Sequence, residues 1–154
     1  MPATRAASQQ IDRCLFVYGT LLRSANHPLG AVLRDNARFI GAASIRARLY
    51  IIADPDDSTN AYPGAIPSAN SLDFVFGELY GLSGDPGRLL ATLDEFEHCS
   101  PDRPEPHEFL RRRIDATTAD GMVMQAVAYL YSWDVSHARL VPGGRFTGDG
   151  SNIR

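Results

Sequence analysis

Two strand-length runs, Phe109 to Thr117 and Met122 to Ser132, face each other across Ala119-Asp120-Gly121. An Asp-Gly pair between such runs marks a hairpin, because its turn needs residues that tolerate positive φ. An antiparallel pair therefore lies at the heart of the chain. More strands join it. Leu72 to Leu82 alternates and carries Phe74, Phe76 and Tyr80. Arg38 to Ile52 alternates and reads as one or two strands, and Cys14 to Tyr18 is a short apolar one. Only two segments have helical spacing: His27 to Asp35, with Leu29, Val32 and Leu33, and a second from Pro86 to about His98. Many strands with few helices predict an α+β domain around a curled sheet or barrel.

The connections carry turn residues. Asp54 to Asn60 is a polar cluster holding Pro55, and Ser100 to Pro106 contains three prolines. Tyr62-Pro63-Gly64 reads as a rigid turn. After Trp133 the chain is glycine-rich, with Arg145-Phe146 placed to close a strand or a lid. A length of 154 residues predicts one domain over 13–154 behind a disordered tail at 1–12. The net charge of −3 points away from nucleic acid and from anionic membranes. No apolar run approaches the roughly 20 residues of a membrane span. The polar start lacks the apolar stretch of a signal peptide. Cys14 and Cys99 fit no metal spacing and are expected to be free thiols in a reducing cytoplasm.

The second helix carries an awkward acid. Asp85 is a good N-cap, and Pro86 suits the first helical position. At about 100° per residue, Leu89, Leu90, Leu93 and Phe96 share one apolar arc of about 120°. Glu97 falls inside that arc, Asp94 lies at its edge, and Glu95 points away. The helix C-terminus is partly negative, and burial disfavours charge, so both raise the pKa of Glu97 towards the range of a general base. The same position also allows Glu97 to reach solvent or to pair with Arg111, Arg112 or Arg113.

The other suggestive segment is Tyr18-Gly19-Thr20-Leu21, where a strand runs into a glycine turn whose N–H groups can face an anion. The remaining polar residues read as structural. His27, His98, His107 and His137 have no ligand spacing and read as solvated surface. Glu78 reads as a structural partner of Arg111, and Trp133 as packing. The run Arg111-Arg112-Arg113 alternates faces and reads as a solvated or salt-bridged edge.

With flanking residues included, the chain resembles the gamma-glutamylcyclotransferase-like family from Leu15 to about Phe146. The signature after the opening strand appears as Tyr18-Gly19-Thr20-Leu21, with threonine for the commoner serine. A Tyr-Pro-Gly segment appears as Tyr62-Pro63-Gly64, and Val75-Phe76-Gly77-Glu78-Leu79-Tyr80 matches a family strand. Leu93-Asp94-Glu95-Phe96-Glu97 matches the acid motif, and Ala126-Val127-Ala128-Tyr129 an alanine-led strand. Phe109-Leu110-Arg111 stands where a Tyr-x-Arg is usual, so a hydroxyl is lost.

The resemblance implies a small mixed β-barrel flanked by a few short helices. It also implies an intramolecular acyl transfer. A substrate α-amine attacks its own γ-carbonyl and releases 5-oxoproline with an amine or amino acid. The nucleophile belongs to the substrate, so no Ser/His/Asp arrangement is needed. Glu97 is then the catalytic base, with Tyr18, Gly19, Thr20, Leu21, Tyr62 and Tyr129 as substrate-binding residues. No metal and no cofactor is implied. The partner is a small γ-glutamyl compound, and the protein is expected to be a monomer or weak homodimer. Two other readings use the same pocket: a non-catalytic small-acid-binding domain, and a biosynthetic enzyme removing a γ-glutamyl protecting group.

Overall fold

The computed structural model describes residues 13–25, 27–54 and 56–146. The tail expected at 1–12 lies outside the described residues. In chain order the elements are β1 (Cys14–Val17), α1 (Pro28–Asn36), β2 (Ala37–Ile45), β3 (Ala47–Asp54), β4 (Asp57–Pro67) and β5 (Val75–Leu82). Then come α2 (Pro86–Phe96), β6 (Phe109–Thr118), β7 (Val123–Tyr131) and β8 (Arg139–Val141). A 3-10 turn at Arg23–Ala25 precedes α1.

Five strands close a barrel in the order β1-β5-β2-β6-β7. Most neighbours are antiparallel. The closing contact of β1 with β7 is parallel, with Leu15 opposite Val127, so the barrel is mixed as expected. The hairpin lies where the sequence puts it: Thr118 N–H donates to the Met122 carbonyl, and Gly121 has φ of 90°. Closure removes the open edges that a five-stranded sheet would otherwise expose. The core is filled by Leu15, Phe16, Val75, Leu79, Tyr80 and their neighbours. Gly77 has no room for a side chain, since a Cβ there would lie 2.1 Å from the Val17 carbonyl oxygen. That close approach is how β5 crosses β1.

A second sheet, of three strands in the order β4-β3-β8, was not anticipated. The run from Arg38 to Ile52 divides into β2 and β3, which belong to different sheets. Tyr62-Pro63-Gly64 is not a turn. It lies within β4, paired with Ile52, Ile51 and Tyr50. Proline is tolerated there because β4 is an edge strand, and Pro63 faces the side without a partner strand. Asp54 to Asn60 is likewise mostly strand: Asp54 ends β3 and pairs with Asp57, where β4 begins. The strand expected from Leu72 begins only at Val75, and Leu72 is exposed.

Both helices form as expected, with sharper ends. The His27 imidazole caps α1 by accepting the Leu29 N–H at 3.0 Å. The Asp85 carboxylate caps α2, whose buried face is Pro86, Leu89, Leu90 and Leu93. Burying a leucine of this kind contributes roughly 1.5–3 kcal/mol. Glu78 pairs with Arg23, not Arg111. Near the chain's end, Arg145 lies over the Phe76 ring and Phe146 is buried. Cys14 and Cys99 are both free thiols. No described helix is long and apolar enough to cross a membrane.

Candidate active site

β1 delivers Tyr18 into the core, where its hydroxyl does two things. It donates to the Tyr129 carbonyl at 2.7 Å and accepts the Ala65 N–H at 3.0 Å. The second bond satisfies an amide on the free side of β4, the same side that Pro63 leaves without a donor. Burial and the nearby Glu97 carboxylate raise the Tyr18 pKa, so the phenol stays neutral. Gly19 then passes over β4, where a Cβ would lie 2.6 Å from Pro63 Cγ. The Leu22 N–H closes a turn onto the Gly19 carbonyl. Among the described residues, nothing accepts the N–H groups of Gly19, Thr20 or Leu21.

α2 delivers the acid. Its last turn closes with Cys99 N–H on the Asp94 carbonyl at 2.9 Å and His98 N–H on the Glu95 carbonyl at 3.2 Å. This is a Schellman motif with histidine in the left-handed position, φ 60°, where glycine is usual. Glu97 is the C-cap residue. Among the described residues it has no ion-pair partner and accepts no hydrogen bond. Among the described residues no buried side-chain oxygen lacks a partner, so the Glu97 carboxyl opens onto free space. Burial, then the charges of Glu108 and Asp94, push its pKa up to about 8. Arg111, one of its expected partners, is instead 3.6 Å from Asp94.

These two segments meet on one cavity of about 690 Å³. All seven sequence-predicted site residues line it: Glu97, Tyr18, Gly19, Thr20, Leu21, Tyr62 and Tyr129. Like Tyr18, the other two tyrosines have committed hydroxyls. Tyr129 donates to Asp94 Oδ1 at 2.6 Å, and Tyr62 donates to Glu108 Oε2. Burial raises the pKa of both phenols, so both remain donors. Phe109 forms part of the wall, edge-on to Tyr131 at 5.3 Å.

The sequence named the loop Asp54–Asn60 only as a place where substrate choice lies, and it missed the other lining residues. Glu108, Asp54 and Asp56 bring three more carboxylates to the cavity. Burial raises the Glu108 pKa, against the Tyr62 hydrogen bond that lowers it. His27, His98 and Trp133 also line the cavity: His27 is half-buried, His98 and Trp133 remain exposed to solvent, and the Trp133 Nε1 donates to the Pro106 carbonyl. Their spacing shows no pattern because they come from unrelated loops. Among the described residues no group of His, Cys and carboxylates is arranged to hold a metal ion.

Comparison with known proteins gives a consistent picture. The family model described as "Gamma-glutamyl cyclotransferase, AIG2-like" matches residues 15–148. No curated protein matches. Among solved structures, an AIG2-like protein from Mus musculus is 22% identical, with a TM-score of 0.56, covering 88% of this chain and 95% of that one. Protein ytfP from Escherichia coli is 27% identical, with a TM-score of 0.55 and coverage of 86% and 95%. YkqA from Bacillus subtilis is 17% identical, with a TM-score of 0.59, and the chain spans 88% of itself but only 40% of YkqA. With the family model covering nearly all the described residues, this chain belongs to the gamma-glutamyl cyclotransferase, AIG2-like family.

Proposed function

We propose that the protein is a gamma-glutamyl cyclotransferase-type enzyme with Glu97 as its acid–base group. One observation carries this reading. An unpaired carboxyl with a pKa raised to about 8 opens onto the same cavity as three unpartnered N–H groups. The substrate's γ-glutamyl carboxylate and the developing oxyanion lie against Gly19, Thr20 and Leu21, whose amides supply donors without a charged side chain.

The chemistry balances on one carboxyl. The α-ammonium gives a proton to the Glu97 carboxylate. The freed amine attacks the γ-carbonyl carbon, forming the ring C–N bond and a tetrahedral oxyanion. That intermediate collapses, the bond to the γ-nitrogen breaks, and Glu97 returns its proton to the leaving nitrogen. The second proton of the attacking nitrogen follows the same route, to Glu97 and on to the departing amine, so the ring nitrogen loses two protons, the leaving nitrogen gains two, and Glu97 ends as it began. A bound ammonium beside Glu97 favours the carboxylate and readies the base. Holding the chain in the ring-closing conformation supplies the larger share, since pre-organised closure is worth roughly 7–11 kcal/mol.

The test is 5-oxoproline release from a panel of γ-glutamyl amines and dipeptides. Glu97→Gln keeps the shape and removes the base, so release should fall roughly 10²–10⁴-fold with the fold intact. A variant within about tenfold of wild type, or a wild type inactive on the whole panel, would overturn the proposal.

A further inference from the structure

We infer that His27 is a further substrate-binding residue, and that its Nε2–H donates to the α-carboxylate of the γ-glutamyl group. This deepens the proposed function and rests on the reading of Glu97 as the base.

The cap of α1 decides which ring nitrogen carries the hydrogen. His27 Nδ1 accepts the Leu29 N–H at 3.0 Å. A nitrogen that accepts has no hydrogen of its own, so the imidazole hydrogen sits on Nε2. Among the described residues nothing accepts it. The backbone at His27 is extended, with φ −85° and ψ 144°, as at an ordinary N-cap. Serine, asparagine or aspartate would cap the helix at least as well. What histidine adds is an N–H, carried by a rigid ring, that the cap does not use.

Three contacts place that ring. It lines the cavity together with Gly19, Thr20, Leu21 and Glu97. It packs against Phe96, the residue before Glu97, with ring centroids 5.2 Å apart. The first turn of α1 lies against the far end of the glycine loop. There the Gly30 N–H donates to the His27 carbonyl, and a Cβ at Gly30 would stand 3.5 Å from the Leu21 carbonyl oxygen. His27 therefore stands where the amide loop and the end of α2 come together. A γ-glutamyl group with its carboxylate on the loop and its ammonium at Glu97 fills that corner, because one carbon bears both groups. Of the two, only the carboxylate can accept from an N–H. A lysine or arginine in this corner would also hold the carboxylate, but it would pair with Glu97 and pull its pKa back down. An imidazole N–H whose other nitrogen is bonded to Leu29 adds no charge.

The experiment compares the γ-glutamyl amide of butylamine with its 4-aminobutanoyl analogue, which lacks the α-carboxylate and closes to 2-pyrrolidinone. Both keep the amine, the reacting carbonyl and the leaving group. The variants are His27→Asn and His27→Ser, because both residues are strong N-caps and keep α1, which thermal unfolding checks. In each, the glutamyl-to-aminobutanoyl ratio of kcat/KM should fall at least about tenfold, the value of one hydrogen bond to a charged group. An unchanged ratio overturns the inference. Equal losses on both amides also overturn it, since they mark a residue that only shapes the site or serves the oxyanion. If either amide is too slow to measure, calorimetry of 5-oxoproline against 2-pyrrolidinone decides the role of His27 by itself, and if both are, the reading of Glu97 fails. Tighter binding of 5-oxoproline that both variants weaken supports the contact. Equal binding of the two compounds, or 5-oxoproline binding unchanged in the variants, overturns it.

Discussion

The Tyr129 hydroxyl donates to Asp94 Oδ1 at 2.6 Å, tying β7 to the last turn of α2. The same carboxylate oxygen lies 3.6 Å from Arg111 Nε, and the Asp94 carbonyl accepts the Cys99 N–H that closes the helix. Asp94 thus anchors the turn that sets the position of Glu97. Tyr129→Phe should cost about 1–3 kcal/mol, because a partly buried carboxylate loses a donor. Denaturant unfolding measures this, and a loss below about 0.5 kcal/mol would show that Arg111 alone holds the residue.

Glu97 should make the empty protein less stable as pH rises. Its folded pKa of about 8 lies above the ordinary carboxyl value of 4.5. The folded state therefore holds a proton that the unfolded chain releases. The stabilisation is complete below about pH 4.5 and is lost as pH rises through about 8. Thermal unfolding from pH 4.5 to 8.5 should show a falling Tm that flattens in Glu97→Gln. A variant with the wild-type slope would assign the dependence to other groups, Glu108 first.

Activity should move the other way. The kcat/KM for 5-oxoproline release should rise with pH as Glu97 in the free enzyme loses its proton, and as the substrate amine, with an ordinary pKa near 8, loses its own. Turnover should survive exhaustive treatment with a chelator. Loss on chelation with recovery in a divalent ion would reveal a metal requirement.

Gly19→Ala should damage both fold and function. The new Cβ would stand 2.6 Å from Pro63 Cγ, a ring atom fixed to the backbone of β4. Displacing loop or strand should cost about 1–3 kcal/mol. The displaced loop carries the proposed anion donors, so activity measured well below the variant's Tm should fall further than the folded fraction does. Full specific activity in the folded fraction would remove this loop from the site.

Several elements were legible because their causes are local. The Asp120-Gly121 hairpin, the Asp85-Pro86 helix start and the apolar arc of Leu89, Leu90 and Leu93 each follow from neighbouring residues alone. Tyr62-Pro63-Gly64 misled for the opposite reason. Its dihedral preferences suit a turn, but β3 supplies a partner on one side and the Tyr18 hydroxyl takes up the Ala65 amide on the other. Propensity yielded to pairing, as it does when tertiary contacts satisfy the backbone.

By itself the sequence determined the α+β class, the order of most elements and the side of α2 on which Glu97 lies, because periodicity and capping act over a few residues. Only the tertiary structure decided what Glu97 faces. Barrel closure and the second sheet bring β1, β4, α2 and the start of β6 together around one space. The same packing pairs Arg111 with Asp94 and leaves Glu97 without a cation, with Glu108 near enough to raise its pKa. Burial and charge proximity depend on distances through space, and separations along the chain do not encode them.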